Sequence, residues 1–118
     1  MNARRIKPIL LHIAEDLEDI ERFMQGTNKE VFHANSMLRK AVCMSLLNIG
    51  EMSKQLPEAL TSKYPNILWN SIVGLRNRVA HGYHTLGTDI MLDIVCNDLT
   101  NFWEVVIREL TLLESNLD

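Results

Sequence analysis

Cysteine, glycine, proline and long apolar runs are all scarce in this sequence. Its 118 residues include two cysteines, five glycines and three prolines. Cys43 and Cys96 have no paired spacing, which excludes a disulfide scaffold and the common zinc modules and favours a reducing cytoplasm. No stretch approaches about 18 uninterrupted apolar residues, and residues 1–8 lack the basic-then-apolar order of a signal peptide. We therefore expect neither a membrane span nor secretion.

The composition is that of an ordinary globular domain, with 47% hydrophobic and 23% charged residues. A chain of this length buries roughly 65% of the surface that it exposes when unfolded, so it needs neither a disulfide nor a structural metal. We expect a single domain over residues 1–118, without a metal or a cofactor.

Apolar residues recur at intervals of three and four along most of the chain, which predicts helices. The second of these helices begins at Asn28 or Asn35, since either asparagine can act as an N-cap. In chain order, the predicted helices span residues 4–24, 28 or 35 to 55, 57–63, 66–80 and 88 onwards. The pattern predicts an all-α, up-and-down bundle of four or five helices.

The middle of the second helix, residues 41–49, is apolar almost all round. Such a helix must be covered on more than one side. In a small bundle it is therefore either the central helix or part of a subunit interface. We expect the interface, and hence a homodimer.

Charge is unevenly distributed along the chain, although the net charge is only -3. No acidic residue lies between Glu58 and Asp89, and that window contains Lys63, Arg76 and Arg78. The attraction of a polyanion depends on the local field more than on the total charge. A phosphate-binding site within this window is compatible with an acidic protein.

Residues 76–84 (RNRVAHGYH) are the segment where titratable and phosphate-binding side chains crowd together. A structural explanation exists, because basic side chains and a glycine are common at a helix C-terminus. At ~100° per residue, Asn77 and His81 share a helix face, whereas Arg76 and His81 lie about 140° apart. One phosphate can contact Arg76 and His81 only if the helix ends near His81 or a second subunit completes the site.

The pattern Arg76-x4-His81-x-Tyr83 follows the segments Asn48-Ile49-Gly50-Glu51 and Tyr64-Pro65-x3-Trp69. Together these motifs resemble the HepT toxins, which are HEPN-domain endoribonucleases paired with MNT nucleotidyltransferase antitoxins. The resemblance extends over most of the chain, from about Ile6 to Leu110.

The resemblance implies a HEPN-like fold and metal-independent cleavage of RNA at a composite site made by two subunits. It implies that His81 is the general acid/base and that Arg76 clamps the phosphate and the transition state. Asn77 then orients His81 or the phosphate. Tyr83 would lie at the substrate edge, where the antitoxin attaches AMP.

Arg78 and His84 lie outside the matched motif and are candidate RNA contacts only. His81-x2-His84 could bring two imidazoles together, but no third metal ligand is evident. A different class of function fits the same residues, namely a non-catalytic helical module that holds a nucleotide or a nucleotidyltransferase partner. Both functions need an intact phosphate-binding motif, so the sequence leaves both open.

Overall fold

The computed structural model describes residues 3–81 and 88–117, which form helices and no strand. In chain order the elements are α1 (Ala3–Met24), α2 (Lys29–Ala34), α3 (Ser36–Ser53), α4 (Glu58–Thr61), α5 (Trp69–Val73), α6 (Leu75–His81), α7 (Thr88–Asp93), a π-helical turn (Ile94–Asp98) and α8 (Leu99–Leu117). The prediction of an all-α bundle is confirmed. None of the described helices combines the length and apolar character needed to cross a bilayer.

The core lies where α1, α3 and α8 pack together, with α5 and α6 against the other side of α3. One stripe of α1 is buried because its apolar residues recur every three or four positions. Its buried members are Ile6, Leu10, Ile13, Leu17 and Ile20. Phe32 from α2 and Phe102 from α8 are also fully buried in this core.

Both asparagines considered as N-caps perform that role. The Asn28 side chain accepts a hydrogen bond from the Val31 amide at 2.8 Å, and the Asn35 side chain accepts one from the Leu38 amide at 3.0 Å. The predicted second helix is therefore two helices, because Asn35 has an extended backbone that ends α2 and begins α3. The second of them ends at Ser53, two residues before the predicted end at residue 55.

The helix predicted over residues 66–80 is shorter and broken. It begins at Trp69, because tight turns bond the Ile67 amide to the Tyr64 carbonyl and the Trp69 amide to the Ile67 carbonyl. It is then interrupted at Gly74, whose ψ of 5° departs from the helical value of about -42°. The change of direction at Gly74 separates α5 from α6.

The last predicted helix is also interrupted, by the π-helical turn between α7 and α8. A π turn widens the helix by one residue and shifts the positions of the side chains that follow it. It ends at Asp98, whose carboxylate lies 2.9 Å from a guanidinium nitrogen of Arg78 on α6.

A buried carboxylate joins α8 to the segment that follows α4. Glu109 is only 3% exposed, and its Oε2 accepts a hydrogen bond from the Lys63 ammonium at 2.9 Å and another from the Tyr64 hydroxyl. Burial, together with the carboxylate of Glu109, raises the pKa of Tyr64 to about 12, so its hydroxyl stays protonated and continues to donate. The pair of donors compensates the cost of burying the charge.

We predict that Glu109→Ala lowers the free energy of unfolding by roughly 1–3 kcal/mol, because it deprives the partly buried Tyr64 hydroxyl of its acceptor, whereas the Lys63 ammonium, 44% exposed, can be hydrated. Urea unfolding followed by circular dichroism measures the effect. Glu104→Ala, at an exposed position of the same helix, should change the stability by less than about 0.5 kcal/mol. Equal effects of the two substitutions would contradict this role for Glu109.

Candidate active site

The candidate site is built on a close approach of α3 to α5 and α6. A Cβ atom at Gly50 would lie 3.3 Å from the carbonyl oxygens of Ile72 and Val73 and 3.4 Å from the amide nitrogen of Arg76. These are backbone atoms, which cannot rotate away as the end of a side chain can. The absence of a side chain at Gly50 therefore allows the first turn of α6, with Arg76, to pack directly on α3.

The next residue of α3 contacts the Arg76 side chain. The Glu51 Oε1 atom lies 3.5 Å from Nη1 of Arg76 and 3.2 Å from Nζ of Lys54. The side chains of Arg76 and Glu51 are 65% and 45% exposed, so the pair faces solvent. The guanidinium is held at one edge and is accessible to an anion.

The other predicted site residues differ in their exposure, and two of them lie outside the described residues. Asn77 is exposed beside Arg76 on α6, and His81 is the last residue of that helix. Arg78 is only partly exposed and pairs with Asp98 at 2.9 Å. Tyr83 and His84 lie outside the described residues. Among the predicted residues, the structure thus brings Arg76 and Asn77 together on one exposed surface.

Polar contacts fix the chain on both sides of the segment between α6 and α7. The Arg78–Asp98 ion pair holds α6 against the π turn. On the far side, the Thr88 hydroxyl lies 3.0 Å from Nδ1 of His33, which joins the start of α7 to α2. Both helices are therefore anchored to the bundle, α6 to the π turn and α7 to α2.

Sequence reasoning missed a polar cleft of about 460 Å³ between α1 and α3. Glu51 forms one wall of this cleft, which is also lined by His12, Glu15, Asp16 and Asn48. Burial raises the pKa of Asp16, while a hydrogen bond from the Asn48 side chain opposes the shift. The spacing of His12 and Glu15 on one helix was visible in the sequence, but only the packing of α1 on α3 shows that Glu51 joins them.

Of the side chains described above, Arg76 is the one suited to bind an anion. Among the described residues, no three His, Cys, Asp or Glu side chains are grouped so that they could hold a metal ion. Arg76 offers an exposed planar donor fork, which matches the geometry of a phosphate.

Comparison with known proteins assigns the chain to a family. A family model described as "Ribonuclease HepT-like" matches residues 13–109. A protein of Methanocaldococcus jannaschii named as a candidate RNase is 34% identical over 101 residues, which cover 86% of this chain and 84% of that protein. A protein of Thermococcus cleftensis named as a candidate ribonuclease HepT is 30% identical over 96 residues, or 81% of this chain and 87% of that protein. No solved structure gives a significant match.

The chain belongs to the HepT-like ribonuclease family. The resemblance inferred from its motifs is confirmed.

Two motifs that indicated the HepT-like family coincide with packing contacts in this chain. Gly50 and Glu51 are the residues of α3 that meet α6. Trp69 donates a hydrogen bond from Nε1 to the Tyr64 carbonyl at 3.1 Å, and its ring meets Phe102 edge-on at 5.9 Å. These motifs fix the positions of α5 and α6 and thereby the direction from which Arg76 emerges.

An apolar surface of this HepT-like chain continues the same side of α3. Met37 and Met44 are 79% and 59% exposed, and Ala41 and Leu47 are partly exposed between and after them. We call these four residues the methionine face. Met44 and Glu51 are seven positions apart and share one side of α3, so the methionine face leads toward Arg76.

We predict that Gly50→Val lowers the free energy of unfolding by roughly 1–3 kcal/mol, because its side chain would collide with backbone atoms of α5 and α6. Gly50→Ala should change it by less than about 1 kcal/mol, since the gain in helix propensity offsets the tighter contact. Urea unfolding measures both variants.

Lys40→Val is the matched control, because it places the same branched side chain at an exposed position of α3. It should cost no more than about 0.7 kcal/mol of helix propensity. A Gly50→Val variant as stable as Lys40→Val would show that α3 and α6 are not in close contact at Gly50.

Proposed function

We propose that this chain is a metal-independent endoribonuclease toxin of the HepT/MNT type, which cleaves RNA at a composite site formed by two subunits. The observation that carries the proposal is the exposed Arg76 guanidinium, beside Asn77, on the helix that ends at His81. In a chain of the HepT-like ribonuclease family, this is a surface suited to an RNA phosphate.

In the proposed reaction the RNA supplies its own nucleophile. The 2′-oxygen forms a bond to the adjacent phosphorus while the bond from phosphorus to the 5′-oxygen breaks. A base accepts the 2′-hydroxyl proton, and an acid gives a proton to the departing 5′-oxygen. The products are a 2′,3′-cyclic phosphate and a 5′-hydroxyl, with no metal or cofactor required.

His81 is the proposed general acid/base, because an imidazole with an ordinary pKa of ~6.5 can both accept and give a proton near neutral pH. Arg76 stabilises the charge that accumulates on the phosphate oxygens in the transition state. Asn77, one helical turn before His81, orients its imidazole or the phosphate. Arg78 and His84 remain candidate RNA contacts.

A second subunit completes the site in this proposal. Positions 76 and 81 of an ideal helix lie about 140° apart around the axis. Although α6 ends at His81, pairing two subunits is one way to bring Arg76 of one subunit and His81 of the other to the same phosphate. The methionine face supports a homodimer, because apolar side chains as exposed as Met37 and Met44 are commonly covered by a partner. Since that face leads toward Arg76 and Glu51, pairing two subunits there would bring two copies of the motif to one seam.

In this proposal, modification of Tyr83 controls the activity. An MNT-type nucleotidyltransferase antitoxin would transfer AMP to its hydroxyl. The added group is bulky and anionic, and beside Arg76 and His81 it would occupy the place of the RNA phosphate.

We predict that the purified protein cleaves single-stranded RNA in the presence of EDTA and leaves 2′,3′-cyclic phosphate ends. Arg76→Ala and His81→Ala should each lower the cleavage rate by roughly a hundredfold or more, because each removes one main contribution to the transition state. Electrophoresis of labelled RNA and mass spectrometry of the ends measure the two outcomes.

Arg108→Ala is the matched control, since Arg108 is an exposed arginine of α8 and its removal changes the net charge equally. It should leave the rate within about twofold. A strict requirement for a divalent metal, or full activity of His81→Ala, would contradict the mechanism. Binding of RNA without cleavage by any preparation would favour a non-catalytic module instead.

We predict further that the protein is a dimer at micromolar concentration and that Met44→Lys makes it monomeric, because two subunits would bury facing charges at the seam. The monomeric Met44→Lys variant should also lose RNA cleavage. Analytical ultracentrifugation checks the state of association, and Ile107→Lys, an exposed apolar position of α8, is the control that should remain dimeric. A wild-type monomer that cleaves RNA would refute the composite site.

A further inference from the structure

We propose that Glu51 is a positioning residue that orients the Arg76 guanidinium before RNA arrives. The inference rests on the proposed function, since it assigns a role to Glu51 in the same reaction. Glu51 would not touch the reacting atoms. It would act through Arg76 and affect the rate of cleavage more than the binding of RNA.

The first observation is the contact itself. Oε1 of Glu51 lies 3.5 Å from Nη1 of Arg76, and within the described ranges no other carboxylate forms an ion pair with this arginine. The same oxygen accepts a hydrogen bond from the Lys54 ammonium at 3.2 Å. One oxygen of Glu51 is thus shared by two cations, Lys54 and Arg76.

The second observation is that the backbones beneath the pair are in close contact. The Gly50 Cα packs against the Arg76 amide, and a Cβ there would already lie 3.4 Å from it. The relative position of the two side chains is therefore set by the packing of α3 on α6. An ion pair formed by two loops would lack this constraint.

Stabilising the fold is a poor explanation for this contact. Both side chains are about half exposed or more, and ion pairs at such positions contribute only about 0–1 kcal/mol to stability. An unrestrained arginine, however, has many rotamers to lose when it clamps the phosphate in the transition state, at a cost of roughly 2 kcal/mol. The contact is better suited to reducing that cost than to stabilising the bundle.

The geometry of arginine makes the two contacts compatible. The guanidinium carries five N–H donors in a planar fork, and the contact with Glu51 lies at Nη1. The remaining donors stay available for a bidentate contact with a phosphate. One carboxylate can therefore hold Arg76 while the opposite edge faces the substrate.

The negative charge of Glu51 weakens substrate binding, whereas its orientation of Arg76 favours the reaction. A carboxylate near the phosphate repels it in the ground state as well as in the transition state. Removing Glu51 should therefore leave KM unchanged or lower it, whereas the loss of orientation lowers kcat. This split distinguishes a positioning residue from an ordinary RNA contact, whose loss raises KM.

The test compares Glu51→Ala, Glu51→Gln and Glu15→Gln in RNA cleavage. Glu51→Ala should lower kcat on the order of tenfold without raising KM. Glu51→Gln should recover part of the loss, because its amide oxygen can still accept from Arg76. Glu15→Gln is the matched control, as Glu15 lines the same cleft but forms no ion pair with Arg76, and it should have wild-type kcat.

A double-mutant cycle with Arg76→Ala identifies the route of the effect. If Glu51 acts through Arg76, Glu51→Ala/Arg76→Ala should cleave no more slowly than Arg76→Ala alone. Multiplicative losses in the double variant, or a raised KM in Glu51→Ala, would overturn the inference.

A spectroscopic readout separates this inference from the proposed function. In ¹⁵N NMR spectra of the full chain, the Arg76 Nε–H signal should shift and exchange faster with water in Glu51→Ala, and stay unchanged in Glu15→Gln. If the wild type cleaves no RNA but Arg76 responds in this way, the proposed function fails and the positioning stands. An unchanged Arg76 signal in Glu51→Ala would overturn the positioning, whatever the activity.

Discussion

The contact between Gly50 on α3 and the backbone of α5 and α6 is the constraint on which the candidate site depends. It lets two helices approach more closely than a side chain would permit, since a Cβ at Gly50 would lie within 3.4 Å of three backbone atoms. Because α6 begins at this contact, the direction of Arg76 follows from it. The neighbouring Glu51 then meets Arg76 beside this contact.

The chain uses charged groups in two physically different ways. Glu109 is buried, and Lys63 and Tyr64 compensate its charge, so removing it weakens the bundle. Arg76 and Glu51 are exposed, and their pairing contributes little to stability. Since a phosphate must reach the guanidinium from solvent, the exposed pair is the one suited to binding. A substitution at Arg76 should therefore change the stability of the bundle little.

Local patterns predicted the parts of the structure that local interactions determine. The apolar stripe of α1 and the caps at Asn28 and Asn35 were predicted, because each depends on residues within one or two turns. The break at Gly74 and the π turn before α8 were not, since both depend on how distant helices pack. In the candidate site, Arg76 and Asn77 were found from their motif. The partner of Arg76 is 25 residues away in sequence, so no spacing rule indicated it.

The structure of the protein bound to an RNA oligonucleotide with a single 2′-deoxy substitution tests this account most directly, because that strand cannot be cleaved at the substituted position. We expect a phosphate within hydrogen-bonding distance of Arg76 at a seam between two subunits, with Glu51 still in contact with the guanidinium. An oligonucleotide bound along another face, with Arg76 in contact only with solvent, would contradict it.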